Sequence, residues 1–296
     1  MNTIIGNVEQ RKKLKKILEN NSIGHAYMFV GTEGIGKSLI AKEFAKTILC
    51  KNSNGTYCNE CECCNIFENS PDFVYITSEE DVIKVGEIRK LSENIILKPV
   101  KSDRRVFIID NAEMMNEAAQ NALLKILEEP PKYATIILIV ANKEKILRTI
   151  KSRCTEIKFF PLTFAEMQEY YKNQNVNEEL YEYARGSIGK LEKLKDSTYI
   201  ENVMALENAL TSSNLLEMNK SLSKLKENKV VKENINDILD LLIIKTRSNI
   251  KQDYLKISKQ IAIIEECRRN LKRNSNYDIT LDCMMIKLWE LEENKI

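Results

Sequence analysis

The segment Gly31–Ser38 (GTEGIGKS) constrains the fold of this chain more than any other feature. The apolar run AYMFV at 26–30 precedes it, and the helical pattern LIAKEFAKTIL follows it. A strand, a loop of the form G-x-x-x-x-G-K-[ST] and a helix, in that order, form a phosphate-binding P-loop. The glycines let backbone N–H groups approach phosphate oxygens, and the helix N-terminus adds partial positive charge. We therefore expect a nucleotide site made by Gly31, Gly34, Gly36, Lys37 and Ser38.

Within that loop, Lys37 is expected to reach the β- and γ-phosphates, and Ser38 to offer its hydroxyl to Mg²⁺. The alternative is a P-loop kept only as part of the fold. Nucleotide binding does not by itself imply hydrolysis, so the residues outside the loop decide that question.

Five apolar, β-rich runs in the first 160 residues predict a parallel sheet. The central runs are continuous rather than alternating, as expected for strands buried on both faces. Between them, the spacing of apolar residues over Asn116–Glu129 predicts a helix that Pro130 and Pro131 end. Residues 1–160 are thus predicted to form a three-layer α/β domain. The five runs are 26–30, 73–76, 106–109, 136–140 and 157–160.

The remainder of the chain is predicted to be helical. All five prolines lie at or before Pro161, and the last glycine is Gly189. We expect a small helical domain at 161–200 and an all-α domain at 201–296, with buried helix faces at Ile238–Ile244 and Ile257–Ile264. A length of 296 residues suits two or three domains.

Composition excludes several classes of function. The net charge is +2, so no bulk charge favours strong, independent nucleic-acid binding. The N-terminus lacks a secretory signal pattern, and no apolar run approaches 18 residues. We expect a soluble cytoplasmic protein without a membrane partner.

Five of the eight cysteines fall between Cys50 and Cys64. Four of them, Cys50, Cys58, Cys61 and Cys64, have the spacing C-x7-C-x2-C-x2-C, which is typical of a tetrahedral thiolate site for structural Zn²⁺. Cys63 can replace Cys64 as a ligand, although only Cys64 keeps the x2 step. Unliganded thiols, a redox pair and an iron–sulfur cluster are the alternatives.

The strand Val106–Ile109 is followed by Asp110, the Walker B pattern that orients Mg²⁺. In ATPases of this type a glutamate usually comes next, but here the residue is Asn111. Asparagine cannot accept a proton, so hydrolysis is expected to be slow or absent unless Glu113 substitutes.

Two residues further along have both a functional and an ordinary explanation. Asn142 follows a strand, where it can hydrogen-bond the γ-phosphate or the attacking water, or simply form a turn. Arg153, in Ser152-Arg153-Cys154 after the predicted helical stretch Lys143–Lys151, can stabilise phosphate charge on a neighbouring subunit. It can equally interact with a helix end or with solvent.

These segments together resemble the AAA+ clamp-loader ATPases of bacterial DNA polymerase III. The resemblance covers nearly the full length and is weaker towards the C-terminus. It is most specific in the run from Asp110 to Pro131 and in Ser152-Arg153-Cys154. The resembling segments are GHAYMFVGTEGIGKS, the cysteine loop, SPDF, VFIIDNAEMMNEAAQNALLKILEEPP, ATIILIVANKEKILRTIKSRC, ARGSIGKLEKL and RRNLKRNSNYDITLDCMMIKL.

The resemblance implies an AAA+ domain, a helical lid at 161–200 and a collar at 201–296 that joins a pentameric ring. It implies that Arg153 is an arginine finger acting in trans and that Asn142 is the first sensor. It implies ATP or ADP with Mg²⁺ as ligands and gamma/tau and delta subunits as partners. Through the complex, the chain would act on a sliding clamp and primed DNA.

Two departures from the family pattern favour a subunit that does not drive the ring itself. Asn111 replaces the acid of the usual pair, and Gly189 and Lys190 occupy the region where motor subunits carry a second-sensor arginine. A gamma/tau-like motor that hydrolyses its own ATP is the first alternative. An unrelated P-loop enzyme such as a nucleotide kinase is the second, and it leaves the cysteine loop and the helical tail unexplained.

Overall fold

The computed structural model describes residues 4–77, 82–172, 174, 176, 178–195, 201, 205, 220, 222–223, 226–248, 253–273 and 275–292. The chain divides into two compact units, Met1–Lys190 and Leu191–Ile296. Parts of the lid and collar ranges lie outside the described residues, and the lid and collar boundaries stay predictions.

The first unit contains the expected sheet of five parallel strands, in the order β2-β3-β4-β1-β5. Its strands are β1 Ala26–Val30, β2 Phe73–Ile76, β3 Arg105–Ile109, β4 Ala134–Val140 and β5 Thr155–Lys158. Every residue of β3 and β4 is buried, which agrees with continuous apolar runs rather than alternating ones.

Nine helices accompany these strands in the described chain up to Leu194. They are α1 Val8–Glu19, α2 Lys37–Leu49, α3 Glu62–Asn65, α4 Val85–Ile95, α5 Glu117–Glu128, α6 Arg148–Lys151, α7 Phe164–Tyr170, α8 Glu178–Ala184 and α9 Ile188–Leu194. Three short 3-10 turns lie at Phe67–Asn69, Ala112–Met114 and Lys143–Lys145. Asn116 caps α5 by accepting a hydrogen bond from the Ala119 N–H at 2.8 Å, so this helix occupies the predicted range.

Helices cover both faces of the sheet, so the predicted three layers are confirmed. One core cluster joins α1 and α2 to one face, through Leu14, Ile40, Phe44, Phe29 and Ile137. The other joins α4 and α5 to the opposite face, through Leu91, Leu123, Met28, Phe107 and Leu138. Fully burying one such side chain stabilises a fold by about 1.5–3 kcal/mol, so these two clusters fix where the strand ends lie.

Strands β3 and β4 begin one and two residues earlier than predicted, at Arg105 and Ala134, and two further segments differ from the sequence predictions. Strand β5 covers Thr155–Lys158 rather than 157–160, and the predicted helix over Lys143–Lys151 is broken in two. The break lies at Ile146 and Leu147, whose backbones are extended. Ile146 is buried there, and the Leu147 N–H donates to Gln120 Oε1 at 2.9 Å. A buried side chain and a tertiary hydrogen bond thus outweigh local helix propensity.

The second unit contains α10 Lys229–Ser248, α11 Tyr254–Lys272 and α12 Tyr277–Glu292. Helix α11 packs against both of the others. Arg268 forms ion pairs with Asp240 and Glu265, and Lys287 pairs with Glu266 at 2.9 Å. The predicted buried faces are confirmed, since Ile238, Leu242, Ile257 and Ile264 are all buried. None of the helices formed by the described residues is both long enough and apolar enough to cross a bilayer.

Candidate nucleotide site and metal site

The carboxyl edge of the sheet brings most of the predicted nucleotide residues together. The P-loop follows β1, Asp110 follows β3 and Asn142 lies two residues after β4. Strand pairing places Val30 opposite Val140, and the Gly31 N–H donates to the Val140 carbonyl at 3.1 Å. In an open parallel sheet this edge is where ligands bind.

Two glycines give the P-loop its shape. Gly34 and Gly36 have φ values of +75° and +88°, a region that side chains with a Cβ avoid. No atom lies within 4 Å of where a Cβ on Gly36 would be, so the loop leaves open space immediately before α2. This space adjoins the N-terminus of α2, where backbone N–H groups have no partner within the helix. The geometry is that of an anion cradle.

Lys37, the first residue of α2, is 6% exposed and folds back across the loop. Its Nζ donates to the carbonyls of Gly31 at 2.7 Å and Thr32 at 2.8 Å. Burial lowers the pKa of Lys37. The carboxylates of Glu113 and Asp110 oppose that lowering, Glu113 the more strongly. Ser38 follows as the second residue of α2, at the position expected for a metal-facing hydroxyl.

Both oxygens of Asp110 are engaged within the chain. The Tyr75 hydroxyl donates to Oδ2, and the Asn111 N–H donates to Oδ1 at 2.9 Å. Burial raises the pKa of Tyr75, and the neighbouring Asp110 carboxylate raises it further, so this phenol remains a donor. The sequence indicated Asp110 but gave no signal for Tyr75, because the contact joins two strands.

Glu113 occupies a position that the sequence did not predict. Asn111 has a left-handed backbone with φ of +51°, and the 3-10 turn that follows turns Glu113 towards the end of β4. Glu113 Oε1 accepts hydrogen bonds from the N–H groups of Ala141 at 2.8 Å and Asn142 at 3.2 Å. Asn142 Oδ1 in turn accepts from the Glu144 N–H at 3.0 Å. Asn142 therefore opens the turn that follows β4, and Glu113 holds its backbone through the Asn142 N–H.

The segment at 187–190 packs directly on the P-loop. The Gly189 N–H donates to the Gly34 carbonyl at 2.9 Å, and a Cβ on Gly189 would lie 2.9 Å from the Gly34 Cα. Ser187 is buried, and its Oγ accepts from the Lys190 N–H at 3.1 Å. The segment around Gly189 and Lys190, where motor subunits are expected to carry a second-sensor arginine, thus contacts the P-loop through its backbone.

Arg153 lies at the amino edge of the sheet, the end where the parallel strands begin, opposite the carboxyl edge that holds the P-loop. It precedes β5, whose first residue pairs with Tyr27 near the start of β1, whereas the P-loop follows the end of β1. The Arg153 guanidinium donates to Glu128 Oε1 at 2.9 Å and to the Thr149 carbonyl at 3.0 Å. The sheet therefore does not bring Arg153 to the P-loop of its own chain.

The cysteine loop follows α2 and brings four sulfurs together. The Sγ atoms of Cys50, Cys58, Cys61 and Cys64 all lie within 4.8 Å of one another. Three of these separations are 3.6, 3.9 and 3.9 Å. Sulfurs about 2.3 Å from a central tetrahedral zinc lie about 3.8 Å apart, so the donor set fits this ion. The N–H groups of Glu60 and Cys61 lower the pKa of the Cys58 thiol, whereas burial raises the pKa of the Cys50 and Cys64 thiols, so the fit to zinc rests on the sulfur separations.

The ambiguity between Cys63 and Cys64 is resolved by this geometry. Cys63 is buried away from the cluster, and its Sγ donates to the Lys101 carbonyl at 3.3 Å. Lys101 also pairs with Glu62 at 2.6 Å. Cys63 and Glu62 therefore attach the loop to the segment that leads into β3.

Comparison with known proteins adds evidence that geometry alone does not contain. The family model described as DNA polymerase III, delta subunit, matches residues 6–163. The gamma subunit of Buchnera aphidicola subsp. Schizaphis graminum is 30% identical over 95% of this chain and 87% of its own length. The delta' subunit of Bacillus subtilis is 33% identical over 57% of this chain and 51% of its own length. Among three tau-containing subunits that also match, the chain spans 22%, 23% and 38% of their lengths.

A solved structure has the same fold. It is a DNA polymerase III gamma subunit-related protein from Thermotoga maritima, with a TM-score of 0.54 and 21% identity. The alignment covers 95% of this chain and 99% of that one. The expected fold class, a three-layer α/β domain with a five-stranded parallel sheet followed by helices, is confirmed.

Proposed function

The chain belongs to the DNA polymerase III delta subunit family, and we propose that within this family it is a non-motor clamp-loader subunit of the delta-prime type. The observation that carries the proposal is Asn111, which follows Asp110 where a hydrolysing site needs a proton acceptor. An amide cannot act as a general base. The subunit would help to load a sliding clamp on primed DNA while the hydrolysis takes place in its neighbours.

The carboxyl edge of the sheet supports nucleotide binding by this subunit. The residues that would hold ATP or ADP are those of the P-loop, with Asp110 and Asn142 close by. The open space at Gly36 and the turned-in Lys37 fit a phosphate group, which would replace the Gly31 and Thr32 carbonyls as partners of Lys37. Bound Mg²⁺ would supply charge neutralisation to the phosphates, and Ser38 and Asp110 are the residues placed to hold it.

Arg153 is proposed to act on the nucleotide of an adjacent subunit. A guanidinium is always charged and forms two parallel hydrogen bonds with phosphate oxygens. Arg153 is partly exposed at the edge of the sheet away from its own P-loop, which suits an arginine finger supplied in trans. Its neighbours in a heteropentamer would be gamma/tau and delta subunits, with residues 201–296 as the collar that joins them.

The four-cysteine cluster is proposed to hold a structural Zn²⁺. All four positions are filled by sulfur, so no coordination position is left for a substrate. Zinc would therefore fix the loop after α2 and take no part in hydrolysis.

The second candidate is a motor subunit of the gamma/tau type. It is favoured by the P-loop, which has every expected residue, and by the similarity to gamma subunits. Steady-state ATP hydrolysis by the isolated protein separates the two candidates, with Asn111→Glu for comparison. We expect little turnover by the wild type, and co-purification with gamma/tau and delta subunits. Robust ATP hydrolysis by the isolated wild type would contradict the non-motor assignment.

A further inference from the structure

Glu113 is a buried acid at the nucleotide edge that the proposed function leaves unused. It is 8% exposed, and its Oε2 has no hydrogen-bond partner within the described part of the chain. A buried carboxylate oxygen without a partner is costly, so a fold keeps one only where something compensates it.

The surroundings of Glu113 link three parts of the site. Its Oε1 holds the N–H groups of Ala141 and Asn142, at the end of β4. It lies beside the P-loop, because the residue before Ala141 is Val140, whose carbonyl accepts from the Gly31 N–H at 3.1 Å, and its carboxylate opposes the lowering of the Lys37 pKa by burial. Asp110, by contrast, has both oxygens engaged by Tyr75 and Asn111. Of these two acids, Glu113 is the one that has a carboxylate oxygen without a hydrogen-bond partner among the described residues.

We propose that Glu113 is a positioning residue of the nucleotide site, with two linked effects. Through Oε1 it fixes the backbone of Asn142, and through its charge it makes polyphosphate binding depend on a divalent cation. This inference rests on the proposed nucleotide site and deepens it. A polyphosphate that enters the cradle beside Lys37 meets a second, buried negative charge, and like charges at short range in a protein repel strongly. A cation bound with the nucleotide offsets that repulsion.

Two substitutions separate the two effects. Glu113→Gln removes the charge but keeps a carbonyl oxygen that can accept both N–H groups. Glu113→Ala removes the charge and the acceptor together. The matched control is Glu144→Gln, which removes an exposed acid from the turn that Asn142 opens.

The first measurement is the Kd of a fluorescent ADP analogue with Mg²⁺ and with EDTA, on the full chain. For the wild type we expect much weaker binding in EDTA. For Glu113→Gln we expect the Kd in EDTA to fall about tenfold, and the Kd with Mg²⁺ to change less than about threefold. Glu144→Gln should match the wild type in both conditions.

The second measurement is hydrogen exchange at the amides of Ala141 and Asn142 in the nucleotide-free protein. Exchange should accelerate about tenfold or more in Glu113→Ala and stay within about threefold of wild type in Glu113→Gln. Unchanged exchange in Glu113→Ala would overturn the positioning effect. A wild-type dependence on Mg²⁺ in Glu113→Gln would overturn the charge effect while leaving the nucleotide site intact. A wild type that binds no nucleotide under either condition would overturn the nucleotide site itself, and the role of Glu113 with it.

Discussion

The two edges of the parallel sheet present their functional residues in opposite ways. At the carboxyl edge, Lys37, Asp110 and Glu113 each hydrogen-bond to the backbone, the charges of the two acids act on Lys37, and Lys37 and Glu113 are buried. At the amino edge, Arg153 is held by one ion pair with Glu128, and the two side chains are 35% and 52% exposed. An exposed pair of this kind contributes about 0–1 kcal/mol.

This difference supports the proposal that the carboxyl edge acts within the chain and that Arg153 acts on a neighbouring subunit. The backbone contacts of Asp110 and Glu113 fix these two acids before a ligand arrives, whereas Lys37 would exchange its carbonyl partners for phosphate oxygens. Releasing Arg153 from Glu128 costs little, so a phosphate of a neighbouring subunit can take over the guanidinium. The predictions below test this contrast, in order of decreasing effect.

The largest effect is expected from Arg153→Ala. In a reconstituted clamp-loader complex, hydrolysis at the adjacent site should fall about 10³-fold, because the transition-state charge loses its arginine. Nucleotide binding by the isolated chain should be unchanged. Pre-steady-state kinetics of the complex measure the hydrolysis rate, and titration of the isolated chain with a fluorescent nucleotide measures the binding.

Arg148→Ala is the matched control, since this exposed arginine begins the short helix α6, which ends two residues before Arg153. It should leave both measurements at wild-type values. Equal losses for the two variants would indicate a general effect of positive charge at this edge and remove Arg153 from its proposed role.

Lys37→Ala should weaken nucleotide binding by the isolated chain, the property that Arg153→Ala is expected to leave unchanged. The isolated chain should lose about 10²-fold in nucleotide affinity, about 2.7 kcal/mol, because charge-assisted hydrogen bonds to phosphate are lost and Glu113 and Asp110 lose a positive neighbour. Calorimetric titration measures this loss. Lys42→Ala, five residues further along α2, is the control and should bind normally. Wild-type affinity in Lys37→Ala would exclude the P-loop as the binding site.

Cys61→Ser tests whether the inserted loop is independent of both edges. The purified wild type should contain about one equivalent of zinc, and the variant should contain none. Loss of the metal should cost about 2 kcal/mol, seen as a fall in Tm of several degrees, with nucleotide affinity unchanged. Cys283→Ser, at an exposed cysteine far along the chain, is the control. A wild type that is stable and free of metal would contradict the zinc assignment.

Sequence patterns predicted the parts of the molecule that depend on local order. The five parallel strands, the helix that follows Asn116 and the choice of Cys64 over Cys63 all follow from periodicity or spacing. The role of Glu113 did not, because it arises from a contact between residues 28 and 29 positions apart. The partner of Arg153 was also missed, since Glu128 lies on a helix 25 residues earlier. Such pairs can be predicted only once the strand order is known.

Tyr75→Phe is expected to have the smallest effect, and it tests how firmly the carboxyl edge is fixed. The Tyr75 hydroxyl donates to Oδ2 of Asp110, an oxygen that we also propose as a ligand of Mg²⁺. Removing the hydroxyl frees that oxygen and keeps the ring, over which Lys42 Nζ lies 4.9 Å from the centroid. The Mg²⁺ concentration needed for half-maximal ADP binding should fall about threefold, which corresponds to about 0.7 kcal/mol. Tyr57→Phe, on the cysteine loop, is the control and should leave this concentration unchanged. A rise in Tyr75→Phe would mean that the hydroxyl orients Asp110 for the metal, and it would contradict the expected competition between Tyr75 and Mg²⁺ for Oδ2.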